Sequence, residues 1–233
     1  MGTYDDPDSI YEMVSLSPEP LKTYMKELID RRVENPVLPM EEGFLQLLKA
    51  HGEELPDDQF ALFMNAMYPV DAFIRDYFRK AALDALLAKK LPVTVFGEGW
   101  EKYSCGDEHS LRREPAVPFA LSFERIAKAH VLLNVSPIFN RGMHDRVPAG
   151  MANHAVVLTD ENPYLRRTFT GGKELLFYSL EKPDTLCEQA ERALTDVRLR
   201  EKIAASAYET FEREYTWKRR AEQILAFAEE VEA

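Results

Sequence analysis

From residue 91 onward one pattern recurs: a short apolar or β-branched run, a polar loop, then a segment with helical periodicity. The runs are Val93–Phe96, Val131–Val135, Ala155–Thr159 and Leu175–Tyr178. The segments between and after them are Ser122–Ala129, Met143–Asn153, Asn162–Phe169 and Pro183–Leu194. Adjacent antiparallel strands need only a tight turn, whereas parallel strands need a crossover long enough for a helix. The alternation therefore predicts an α/β fold with a doubly wound, Rossmann-like parallel sheet. Two further helices close the chain, one carrying Leu199, Ile203, Ala207 and Phe211 on a face, the other Trp217, Ala221, Ile224, Leu225 and Ala228.

The first third reads differently. Ser17 is placed as an N-cap with Pro18 in the first turn, followed by Leu21, Tyr24, Met25, Leu28 and Ile29 at helical spacing up to Asn35-Pro36. Pro39 opens a segment with Phe44, Leu47 and Leu48 on one face, and Pro56-Asp57 opens another with Phe60, Phe63 and Met64. A fourth helix, from about Val70 to Lys89, carries an apolar stripe that must pack on something. The expected organisation is a mainly helical segment over 1–90, packed on the sheet, and a Rossmann-like domain over 91–233.

Composition removes several classes of function. A formal charge of −11 over 233 residues, with no basic stripe interleaved with aromatics, argues against a polyanionic partner such as nucleic acid. Two cysteines, Cys105 and Cys187, lie far apart, and the five histidines (His51, His109, His130, His144, His154) show no repeated metal spacing. Neither a disulfide framework nor a metal cofactor is expected, and a reducing cytoplasmic setting fits. No apolar run is long enough to span a bilayer, and Asp6 stands where a myristoylation signal wants Ser or Thr.

In an open parallel sheet, ligands sit beyond the carboxyl ends of the strands, so the loops that leave the runs carry the information. Gly97-Glu98-Gly99-Trp100 begins like a dinucleotide fingerprint, but Lys102 occupies the third glycine's place, and a tight strand-exit turn with Trp100 packed on the sheet accounts for the same residues. The loop from Asn134 to Val147 contains Ser136, Gly142, Met143, His144 and Arg146. Gly142 would let backbone approach a ligand, N–H groups near Met143 would face an anion, and Arg146 would offer a planar donor fork to phosphate. Equally, Gly142 is a turn, His144 a solvated imidazole and Arg146 a surface side chain paired with Asp145 or Glu161. Thr159 and Asp160 end the next run, where Asn162 or Asp160 suffices as a helix cap and the carboxylates of the Thr159–Pro163 loop could bind sugar hydroxyls. Thr170-Gly171-Gly172-Lys173 reads as a helix stop. Hydrolase triads, HExxH and the phosphate-binding glycine loop with Lys-Ser/Thr are absent.

Taken in order, VTVFGEGW (93–100), SFERIAKAHVLLNVSP (122–137), GMHDRV (142–147), VVLTDENP (156–163), GGKELLFY (171–178) and REYTWKRRAEQIL (213–225) resemble the C-terminal domain of retaining-type GT-B glycosyltransferases, and among them the spore-maturation (CgeB-like) family. The opening MGTYDDPDSIYEMV resembles the exit of that domain's first strand, followed by a helical insertion. The resemblance implies a nucleotide-diphosphate sugar as donor substrate, a UDP-sugar among the candidates, with Gly142, His144 and Arg146 near the diphosphate and Thr159 and Asp160 near the nucleotide or sugar. It also implies an upstream acceptor-binding domain that this chain has no room for, making it either an excised domain or a naturally shortened relative. The first third could equally form the surface of a homo-oligomer. Two glutamates of the wider fold align with Arg141 and Ala149, and the usual glycine after the helix aligns with His154. Two readings follow: an active glycosyltransferase with His144 and Arg146 as catalytic groups, or a degenerate nucleotide-sugar-binding or protein-interaction module.

Overall fold

The computed structural model describes residues 2–232. Its elements run α1 (Pro7–Ser15), α2 (Leu21–Glu34), α3 (Met40–His51), α4 (Asp57–Ala66), α5 (Tyr68–Ala88), β1 (Val93–Phe96), β2 (Leu111–Glu114), α6 (Phe119–Ala127), β3 (Val131–Asn134), α7 (Arg146–Ala152), β4 (Val156–Asp160), α8 (Pro163–Thr168), β5 (Leu176–Tyr178), α9 (Pro183–Thr195), α10 (Val197–Glu214) and α11 (Trp217–Glu232). Every paired strand is parallel, as the alternation predicts. Hydrogen bonding divides the strands into two sheets, β1-β2 and β3-β4-β5.

The chain forms two compact units. One comprises 1–117, 135–142 and 179–187; the other comprises 118–134, 143–178 and 188–233. The change near residue 90 is thus a change of secondary-structure type, whereas the compact units are cut by contacts that follow a different line.

In the first unit α5 is the central helix. It packs against α1, α2, α4 and β1, burying Val70, Phe73, Ile74, Phe78, Ala82, Leu83, Leu86 and Leu87. Ser17 does not cap α2: that helix begins at Leu21, and the carbonyls of Pro18 and Pro20 accept from Lys22 and Tyr24. The segment before α1 runs beside the exit of β1, with Gly2 N–H donating to the Phe96 carbonyl at 2.9 Å and Tyr4 N–H to the Glu98 carbonyl at 3.0 Å. Arg79 holds the same segment through the Thr3 carbonyl at 2.6 Å while pairing with fully buried Asp76.

This segment accounts for Gly97 and Gly99. Both have positive φ, 139° and 82°, and a Cβ on either would lie about 2 Å from a backbone oxygen, that of Gly2 or Tyr4. Trp100 completes the cluster. It stacks on Tyr4 with ring centroids 5.1 Å apart and donates from Nε1 to the Gly2 carbonyl at 2.8 Å.

β2 escaped sequence reading because Leu-Arg-Arg-Glu offers one apolar residue and no alternation. Side-chain bonds hold the segment there. Arg113 donates to the carbonyls of Trp100 and Tyr103 and grips Glu108 with both Nη atoms.

In the second unit β4 is the middle strand and all five of its residues are buried, which explains its unbroken apolar reading. α7 and α10 pack on it through Val147, Met151, Val157 and Ala207. Gly150 permits this closeness: a Cβ there would come within 2.4 Å of Val157 and 2.9 Å of Leu132. The Thr170–Lys173 stretch does not stop a helix. α8 ends earlier, with Phe169 in extended geometry, and Gly171-Gly172 form a turn that closes on Leu175.

Candidate functional site

Strand register assembles the site. In the three-stranded sheet Asn134 lies opposite Thr159, and Asp160 opposite Tyr178, so four polar residues gather at the carboxyl ends of β3, β4 and β5. All four are nearly inaccessible, with relative exposures from 0% to 3%. Buried polar groups are costly unless bonded, and hydrogen bonds run through this set. Asn134 Nδ2 donates to Thr159 Oγ1 at 2.9 Å, Thr159 Oγ1 donates to the Asp160 carbonyl at 3.1 Å, and the Tyr178 hydroxyl donates to the Asn134 carbonyl at 3.0 Å.

Arg146 joins this network from the start of α7, its Nη1 donating to Asn134 Oδ1 at 2.6 Å. Burial pushes the Tyr178 phenol well above its ordinary pKa. The Asp160 carboxylate adds to the shift and Arg146 opposes it, so both charges act on the same phenol. The result is a part-exposed guanidinium anchored on a buried polar base.

The sequence placed Arg146 one turn inside a helix starting at Met143. It is instead the first residue of α7, a helix of 7 residues. The preceding turn is tight: Val147 N–H donates to the His144 carbonyl at 3.0 Å, and Asp145 makes no side-chain cap. His144 Nδ1 lies 3.1 Å from Arg146 N and 2.5 Å from an Asp145 carboxylate oxygen. One nitrogen cannot accept from the first and donate to the second at once, so protonation selects between the two arrangements. Arg146 does not pair with Glu161, which Arg166 takes.

Among the other expected residues, Met143 packs against the Val147–Met151 core. Asn162 is the cap of α8, accepting from Leu165 N–H at 2.8 Å, so that role does not fall to Asp160. Ser136, Gly142, Gly97 and Gly99 belong to the first unit. Ser136 is buried and its carbonyl accepts from Phe139 N–H; a Cβ on Gly142 would meet no heavy atom within 4 Å. Arg141 pairs with Glu42 at 2.8 Å in the same unit. His154 adopts positive φ, 55°, and stacks on Tyr208 with centroids 4.2 Å apart. Both line an open cavity of about 470 Å³ with His130 and Arg200, at the end of the sheet where β3 and β4 begin. That is the opposite end from the Asn134 network.

Asn134 and Tyr178 were passed over in the sequence. The available signal was a polar residue closing an otherwise apolar strand, at the edge where such sheets bind ligands. Among the described residues, none form a group of three or more His, Cys, Asp or Glu placed to hold a metal ion, and no helix is long and apolar enough to cross a membrane.

A family model described as glycosyl transferase-like matches residues 75–226, well over half of the chain. The chain belongs to this glycosyl transferase-like family. The matched span runs from α5 to α11 and takes in both sheets and the whole Asn134–Arg146–Thr159–Tyr178 network. No curated protein matches this member of the family. Among solved structures, that of Anabaena Alr3699/HepE in complex with UDP-glucose superposes with a TM-score of 0.55 at 12% identity, covering 66% of this chain and 44% of that one. TarM superposes at 0.49 and 11% identity, covering 64% of this chain and 31% of that one. The likeness to HepE is one of fold, and it bears out the parallel α/β architecture expected from the GT-B resemblance. This glycosyl transferase-like chain spans less than half of HepE's length.

Proposed function

We propose that this chain is the donor half of a glycosyltransferase of the CgeB-like kind, holding a nucleotide-diphosphate sugar over the carboxyl ends of β3, β4 and β5. The observation that carries the reading is Arg146, fastened by Asn134 to a buried polar base at the sheet edge where parallel folds bind ligands. A part-exposed guanidinium presents planar N–H donors of the geometry that suits phosphate oxygens. HepE, a neighbour in fold, was solved with UDP-glucose, which supports a UDP-sugar as the first donor to test.

In this reading the bond between the anomeric carbon and the diphosphate oxygen breaks, a bond from that carbon to the acceptor nucleophile replaces it, and charge gathers on the leaving diphosphate. Arg146 stabilises that charge, and His144 donates a hydrogen bond or a proton to it. Asp160 and Thr159 contact the sugar or nucleoside. The acceptor is held by a partner domain outside this chain.

Specific observations also favour a second reading, a nucleotide-sugar-binding module without transfer. Arg141, aligned with a family glutamate, is engaged with Glu42, and Ala149 offers no carboxylate where the other acid aligns.

Isothermal titration with UDP, GDP, ADP and dTDP and their sugar conjugates tests the common core. One nucleoside diphosphate should bind selectively, and Arg146→Ala should weaken it roughly tenfold to hundredfold, the worth of one charge-assisted hydrogen bond at about 1.5 to 3 kcal/mol. Equal affinity in Arg146→Ala refutes the assignment. Release of free nucleoside diphosphate from the bound conjugate separates the active reading from the silent one.

A further inference from the structure

The register that brings Asn134 beside Thr159 carries the row one strand further, because Thr159 is also the partner of Phe177. Partners across a sheet share a face, so Asn134, Thr159 and Phe177 form one line over the ends of β3, β4 and β5. A guanidinium stands at each end of the line. Arg146 donates to Asn134 Oδ1 at one end, and at the other Arg166 lies over the Phe177 ring, its Cζ 4.5 Å from the ring centroid.

Arg166 is fixed in two directions. Phe177 covers one side of the guanidinium, and Glu161 takes an edge: Nε donates to Glu161 Oε2 at 2.6 Å, and Nη2 reaches the same oxygen. Glu161 is in turn placed by the sheet, its N–H donating to the Tyr178 carbonyl at 3.0 Å just beyond β4. The Arg166 side chain is nevertheless 53% exposed. Phe177 beneath it is nearly inaccessible, so that exposure lies on the side away from the ring. A planar cation held in place with one side in solvent is a surface on which a planar ring stacks, and nucleobases are held on arginine planes in this way.

The spacing along the row suits one kind of ligand. Neighbouring strands lie about 4.8 Å apart, so the anchors of the two guanidinium groups, on β3 and β5, are about 10 Å apart, the order of the separation between base and diphosphate in an extended nucleotide. We propose that Arg166 is the stacking platform for the nucleobase of the donor, with Arg146 on its diphosphate, an assignment that rests on the donor-half reading above. Every nucleobase has a face to stack, so the platform adds affinity for a base over none, and other groups choose among bases.

Isothermal titration of the full chain with UDP, GDP, ADP, dTDP and inorganic pyrophosphate tests it. Arg166→Ala should weaken the best-bound nucleoside diphosphate about five- to tenfold, the low end of base stacking because the site is open, and leave pyrophosphate unchanged. Arg166→Lys keeps the charge without the plane and should bind as weakly as Arg166→Ala, whereas Arg146→Ala should weaken nucleotide and pyrophosphate alike. Unchanged nucleotide affinity in Arg166→Ala, beside a loss in Arg146→Ala, overturns the platform and spares the donor site. Parent-like affinity in Arg166→Lys, or an equal loss of pyrophosphate in Arg166→Ala, also overturns it, since charge or fold would then account for the effect. A parent chain that binds none of the four nucleotides removes the donor reading and the platform together.

Discussion

Replacing Asn134 by Ala is the most direct probe of the base beneath Arg146. The side chain is 1% exposed; its Nδ2 makes a neutral bond to Thr159 Oγ1 at 2.9 Å and its Oδ1 accepts from the Arg146 guanidinium at 2.6 Å. A neutral bond contributes about 1 kcal/mol and one to a charged group about 2. Arg146 is part-exposed, so water recovers some of the second, leaving a net loss of about 2 kcal/mol. For a chain of this size that lowers the midpoint in scanning calorimetry by about 4 to 8 °C. Thr159→Val removes the same contact from its other side and also leaves the Asp160 carbonyl without its donor. The two changes share a bond, so the double variant should lose about 1 kcal/mol less than the single losses combined. A shift below about 1 °C for Asn134→Ala, or strict additivity in the cycle, would refute a bonded base under the guanidinium.

Other outcomes follow from the same geometry. Gly150→Ala forces a methyl to within 2.4 Å of Val157, so it should cost about 1 to 3 kcal/mol in urea unfolding. Gly99→Ala meets the Tyr4 carbonyl at 1.9 Å in a left-handed conformation, and proteolysis should expose the segment before α1 in that variant. Arg113 holds the Glu108 carboxyl down at about 2 from an ordinary 4.5. The folded form thus releases this proton more readily than the unfolded chain, so the stability it adds is complete above about pH 4.5 and is lost as pH falls toward 2. That acid limb of the thermal midpoint should flatten in Glu108→Gln. Tyr178, raised by burial, works in the opposite direction: its stabilisation is full below the ordinary tyrosine value of about 10 and is lost at higher pH, an alkaline limb that Tyr178→Phe should remove.

The strand-and-helix alternation was legible because β1, β3, β4 and β5 are short, mostly apolar runs, buried throughout in β4 and β5, and their expected limits shift by a residue at most. β2 was not, since bonds from Arg113 to carbonyls distant in sequence hold it, and no local pattern encodes them. α1 was also passed over. Pro7, Ile10 and Val14 carry a helical repeat, but a helix of 9 residues gives that period little length in which to show. In the site, Arg146, Thr159 and Asp160 were legible as polar residues beyond strands. Their connection was not, because it depends on register: Asn134 meets Thr159 only if Val131 pairs with Val156. A slip of one residue would turn alternate side chains to the other face and separate them.

Register also explains why polarity at this edge is informative. Along β3, β4 and β5 the entering residues Val131, Val156 and Leu176 are apolar, while the leaving residues Asn134, Asp160 and Tyr178 are polar and nearly inaccessible. Packing alone favours an apolar side chain at each leaving position, since every polar group buried there must find a partner to offset its lost hydration. Asn134, Thr159 and Tyr178 are bonded to one another, to the Asp160 carbonyl and to Arg146, so the fold maintains a bonded polar base at the one end of the sheet where a parallel architecture admits a ligand. At the other end His154 and Tyr208 stack beside an open cavity with no comparable buried network among the described residues. If the base served stability alone, replacing Asn134 and Thr159 together by Leu and Val should leave nucleotide affinity untouched, whatever it does to the thermal midpoint; if it serves the guanidinium, binding of the diphosphate should fall even where the exchange leaves the fold intact.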